Sequence, residues 1–186
     1  MFSALWKSKI SCQDLAGKLS ASFTNFTLKL FADQKEESGE SSWTVESVKA
    51  GHQQELLQEW TLFSVAAYIN GCRSSMKQDA VHFEFVRSFV AACARNFVEL
   101  GTFSSEPEFT RLAMGRLSEY LDAFSGSDVE EALQNVARKF LQNVGCSPND
   151  IAHRVVAAGH FVNESVETKK MFDSLQASYR IVLNPT

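Results

Sequence analysis

Proline and glycine are both scarce in this chain, at 3 and 9 of 186 residues. So few breakers exclude a collagen-like or low-complexity polymer and leave room for long regular elements. No stretch approaches the roughly 18 uninterrupted apolar residues of a membrane span. The opening from Met1 to Lys9 lacks the apolar core of a secretory signal, and Lys9, Ile10 and Ser11 before Cys12 do not suit a lipoprotein cleavage site. Arginine, which a mitochondrial presequence uses, first occurs at Arg73. Cytoplasm is therefore the expected compartment. Cys12, Cys72, Cys93 and Cys146 contain no CxxC pair, and Cys93 sits in an apolar run from Phe89 to Leu100. Reduced, buried thiols are expected rather than bridges.

Catalytic signatures are missing as well. There is no GxxxxGK[ST] phosphate loop, no GxGxxG, no GxSxG elbow, no HExxH and no ExxH pair for a di-iron bundle. Each absence weakens one enzyme class, so the reading leans away from catalysis without excluding it. A basic excess is lacking too: 18 basic against 22 acidic residues give a net charge of −4. Duplex nucleic acid is a poor partner for such a chain, because binding it rests on counterion release by a basic surface. The charge is uneven. Residues 1–32 carry a net +3, and residues 33–60 a net −5.

What the chain does have is apolar content, 45% overall with 15 phenylalanines. A chain of this mass buries roughly 70% of its unfolded surface, enough for one domain with a sizeable core. Period and punctuation agree on helices. Leu15, Leu19, Phe23, Phe26 and Leu30 trace one stripe behind a Ser11–Asp14 capping pattern. A second helix is expected over about 45–70, carrying Leu56, Trp60, Phe63 and Ala67 and ended by Gly71. The third, about 79–100, is the most apolar and is expected at the centre of the domain. Ser105 to Glu108, with Pro107 inside the first turn, opens a fourth; Ser127 to Glu130 opens a fifth; Ser147 to Asp150 opens a sixth. A seventh is expected from about Ser165, with Asn163 ending the sixth. Strand-like alternation is confined to scraps such as Val81 to Phe85.

These segments predict an all-α fold, a single helical bundle of about six to seven helices with an N-terminal amphipathic helix. The expected organisation is an amphipathic helical segment at 1–32, a polar acidic linker at 33–43 and a helical bundle domain at 44–186. Phe2, Leu5 and Trp6 with the lysines of the first segment suggest docking on the acidic 33–60 stretch or a homodimer through residues 1–32. Net +3 with serine and threonine interleaved is weak for an anionic membrane surface, so membrane contact is not expected.

Four residues are candidates for binding a partner or ligand: Trp60, Tyr68, Arg116 and Tyr120. Trp60 and Tyr68 read either as core or as an aromatic hot spot for a partner. Arg116 and Tyr120, one turn apart with Glu119 between them, either pair locally over the core or grip an anionic ligand. His153 and His160, seven apart, lie about 10 Å apart along a helix and cannot share one ion directly. His160 and Glu164 are the runner-up metal pair. A metal needs three or four convergent ligands, so no metal, cofactor or catalytic residue is assigned.

The function expected on these grounds is a non-catalytic cytosolic helical interaction or regulatory domain, acting through a protein partner or self-association. The first alternative is a small-ligand-binding bundle for haem, another tetrapyrrole or a lipid-like apolar molecule, with His82 or His160 as an axial ligand. The second is a bundle enzyme whose site carries no recognisable motif.

Overall fold

The structure of the chain, a computed structural model, describes residues 7–37, 52–125 and 128–183, with side chains described outside 33–37. Among these residues, β1 (Ser8–Ser11) leads into α1 (Cys12–Glu37), followed by α2 (Gln53–Ser75) and α3 (Asp79–Glu99). Next come α4 (Glu106–Ala123), α5 (Val129–Asn143), α6 (Ile151–Ser178) and β2 (Tyr179–Val182). The all-α bundle read from the sequence is the observed architecture. No helix among the described residues is long and apolar enough to cross a membrane.

Helix starts follow the capping chemistry closely. Ser11 Oγ accepts from the Asp14 amide at 2.9 Å and donates to Asp14 Oδ2 at 2.7 Å, so α1 begins as expected. Ser105 Oγ accepts from the Glu108 amide, while the Glu108 carboxylate reaches back to the Ser104 amide at 3.1 Å, one residue earlier than a capping box places it. At α5 the cap is Asp128, whose Oδ1 accepts from the Glu130 amide at 2.9 Å. Ser127 and Gly126 lie outside the described residues, as do Phe2, Leu5, Trp6 and residues 38–51. Gly101 and Gly145 end α3 and α5 at φ of 72° and 74°, a left-handed conformation that a side chain resists.

Several sequence expectations give way. Gly71 does not end a helix: α2 runs on to Ser75. A Cβ at Gly71 would stand 2.4 Å from the Ser165 carbonyl oxygen and 2.8 Å from Thr168 Cβ. The glycine is there because α2 and α6 touch backbone to backbone. The expected break at Asn163 is also absent, and α6 is continuous from Ile151 to Ser178. Polar helix formers likewise carry α1 through Glu37, past the start of the expected linker. Lastly, two strands appear where helix ends were expected. β1 pairs in parallel with β2, Ser8 opposite Tyr179 and Ile10 opposite Ile181, tying the two ends of the described chain together. Val81 to Phe85, the one strand-like scrap, is helical.

The centre is α2 rather than α3. Residues from Glu59 to Ile69 of α2 are buried without interruption, whereas α3 leaves Phe83 67% exposed. Small residues on α2, among them Ser64, Ala66, Ala67 and Gly71, let neighbours approach it from every side. α6 and α4 pack on α2, α1 packs along α3, and α5 bridges α4 and α6. The phenylalanines fill the joints. Tyr68 stacks on Phe89 with centroids 4.6 Å apart, and Phe23 meets both edge-on. Cys12, Leu15, Ala16 and Phe23 of α1 belong to the same core as the rest. α1 thus packs part of its apolar face on the core of the bundle, while Phe26 on the same helix stays 49% exposed.

Candidate functional site

Arg116 and Tyr120 meet Glu59, a residue that no sequence pattern singles out. Glu59, 7% exposed on α2, accepts from Arg116 Nε at 2.9 Å, from Asn143 Nδ2 at 3.2 Å and from the Tyr120 hydroxyl. Asn143 also donates to the Tyr120 oxygen at 3.0 Å. Arg116 Nη1 donates to Glu119 at 3.0 Å, and Lys139 lies 3.4 Å from the same carboxylate. Burial, followed by the Glu59 charge, holds the Tyr120 phenol well above its usual range. Arg116, Tyr120 and Asn143 all bond to Glu59, so they act here as a clamp joining α2, α4 and α5.

Trp60 and Tyr68 are interior residues, at 1% and 5% exposure. They do not form a surface, but they floor one. α1 rests on α3 and α6 on α2, and the two outer helices face each other across a groove. One end is a cavity of about 450 Å³ whose lining includes Phe26, Leu30, Trp60, Val155, Gly159 and His160. The other is a cavity of about 430 Å³ between Leu19, Phe23, Tyr68 and Met171. Phe26, Glu164 and Glu167 border both. Phe26 and Val155 leave large apolar surface in the groove, at 49% and 59% exposure.

The ionisable groups lining the two cavities, apart from Tyr68, come from α6. His160 stacks on Trp60 with centroids 4.1 Å apart, and its Nε2 lies 2.9 Å from Ser64 Oγ. Burial lowers the imidazole pKa to about 4, so the ring is neutral at physiological pH. Nε2 is engaged by Ser64. Ser64 itself is 1% exposed, too deeply covered to act as a nucleophile. One turn along, Glu164 is 8% exposed, and burial raises its carboxyl pKa to about 7. The continuity of α6 through Asn163 is what sets these two residues on one face. Among the described residues, no group of three or more His, Cys, Asp and Glu is placed to hold a metal.

A third cavity, about 530 Å³, opens where the ends of α2, α5 and α6 meet, and is lined by His52, Glu55, Asn143, Cys146, Asp150 and His153. Its side chains pair with one another: His52 with Glu55, and His153 Nδ1 with Asp150 at 3.2 Å. It is a self-satisfied polar surface. The α1–α6 groove, which pairs apolar walls with an unanswered carboxyl, is the better candidate site. No protein-family model, no curated protein and no solved structure matches the chain.

Proposed function

We propose that this protein is a non-catalytic helical binding protein whose α1–α6 groove holds a small, largely apolar ligand against Trp60 and Tyr68. The observation that carries the proposal is the pair of adjoining cavities, about 450 and 430 Å³, walled by Phe, Leu, Val and Met side chains. Ligand pockets typically occupy about 300–1,000 Å³ and combine apolar walls with a few polar groups. A protein partner of ordinary affinity needs about 800 Å² of matching surface on each side. The groove suits the smaller occupant. Free cysteines and a mildly acidic charge accord with a cytoplasmic setting, which belongs to the same proposal.

Gly159 supplies the test. It lines the groove, and a Cβ there would meet nothing within 4 Å. Gly159→Phe therefore fills the cavity without disturbing the core, and replacing a mid-helix glycine favours the helix. The neutral apolar dye N-phenyl-1-naphthylamine is expected to bind the wild-type protein saturably, with enhanced fluorescence. Gly159→Phe should weaken that binding at least tenfold with no loss of thermal stability. Equal dye binding by the variant would refute the groove as the site.

A further inference from the structure

We infer that the ligand of the α1–α6 groove is a cationic amphiphile, an apolar body bearing a protonated amine that pairs with Glu164. This rests on the groove being the binding site and names the chemistry it selects. Glu164 borders both cavities, so its carboxyl stands where a ligand lying along the groove must pass. It has no hydrogen-bond or ion-pair partner among the described residues.

Among the described residues no cation answers it. On α6 its neighbours along the groove are His160, kept neutral by burial, and Glu167, a second acid. Lys169 is occupied with Asp173 and Lys170 with Glu167. α2 brings Tyr68 and Cys72 beneath it, both of which feel the Glu164 charge and neither of which can neutralise it. α1 contributes Leu19, Ser22, Phe23 and Phe26 to the walls and no ionisable group.

A desolvated carboxylate without a counter-charge is costly, and burial accordingly pushes this one up to about 7. An ammonium group arriving with the ligand removes that cost by forming a charge-assisted hydrogen bond. A ligand carboxylate would instead face the Glu164 carboxylate in the groove. Charge thus selects among apolar molecules that the walls alone would accept equally.

The experiment compares dodecylammonium, dodecanol and dodecanoate at concentrations below micelle formation, by competition with the dye at pH 6 and pH 8. Dodecylammonium should bind about tenfold more tightly than dodecanol at pH 8. Its advantage should shrink several-fold at pH 6, where Glu164 takes up its proton. Glu164→Gln keeps the shape and removes the charge; it should abolish the preference, bringing the amine and alcohol affinities together. Gly159→Phe, which retains Glu164, should block all three. An amine bound no better than the alcohol, or a preference surviving in Glu164→Gln, overturns the inference while the groove stands. If none of the three binds the wild-type protein, the groove reading fails and the inference fails with it.

Discussion

Replacing Glu59 by alanine removes the one carboxylate that α2 contributes to the clamp, and the cost can be worked out bond by bond. The Tyr120 hydroxyl, fully buried, loses its acceptor and keeps only the bond it receives from Asn143. An orphaned buried donor costs about 1–3 kcal/mol. Arg116 loses Glu59 but keeps Glu119 at 3.0 Å, and at 27% side-chain exposure it also reaches water. Its share is therefore about 1 kcal/mol, well below the full cost of stranding a buried charge. The space left by the side chain adds about 1 kcal/mol. Together these give a loss of roughly 3–5 kcal/mol, or a Tm fall of about 6–20 °C for a domain of this size.

Urea unfolding followed by circular dichroism measures the loss, and a double-mutant cycle apportions it. Glu59→Gln keeps an acceptor for Tyr120 but turns a donor toward Arg116 Nε, so about 2 kcal/mol should be lost. Combining Glu59→Gln with Arg116→Met should recover at least 1 kcal/mol relative to the sum of the single effects, since the two residues share one bond. A Glu59→Ala loss below 1 kcal/mol, or additive single effects, would show that the three helices are held by packing and that the clamp is incidental.

Two further perturbations probe the rest of the architecture. Gly71→Ala sets a methyl 2.4 Å from the Ser165 carbonyl, so α2 and α6 must separate; a net loss of about 1–2 kcal/mol is expected after the gain in helix propensity. Gly17→Ala, where a Cβ meets nothing within 4 Å, should instead be neutral or stabilising by up to about 1 kcal/mol, and unfolding curves of the two decide. The groove pair predicts opposing pH dependences. Glu164, raised from 4.5 to about 7, holds a proton in the folded state that it releases in the unfolded one, so its contribution falls as pH rises through that window. The accumulated cost above pH 7 reaches at most about 3 kcal/mol, and Glu164→Gln should remove it. His160, lowered from 6.5 to about 4, acts in the other direction, costing stability as pH falls below 6.5. Glu164→Gln should therefore expose a stability that declines on acidification from pH 6.5, and an unchanged pH profile in that variant would contradict the burial of both groups.

The residues that were legible in the sequence act locally. Capping oxygens at Ser11 and Ser105, Pro107 in a first turn, and Gly101 and Gly145 past helix ends all work through neighbours three or four positions away, and they marked out the bundle. What stayed hidden depends on partners far along the chain. Gly71 reads as a terminator until Ser165 is seen pressed against it, and α2 looks less apolar than α3 because small residues, not large ones, admit neighbours on every side. The same limit hid the site: Asn163 looked like a stop between His160 and Glu164, while packing along α2 keeps α6 helical through it.

Glu59 and Glu164 show why the groove stands out once those distant contacts are known. Both are glutamates, both are almost fully buried, at 7% and 8% exposure, and both belong to helix interiors. Around Glu59 the fold assembles an arginine, a tyrosine and an asparagine from two other helices. Around Glu164 it assembles phenylalanine, tyrosine, threonine and a second acid, with the opening of a cavity on either side. A bundle able to satisfy one buried carboxylate so completely does not lack the means to satisfy the other. Glutamine or methionine at position 164 would fit the same space without the desolvation cost, so the packing alone gives no reason for the charge. A carboxyl that costs the fold stability, sited where two cavities meet, is best accounted for by something that enters the groove.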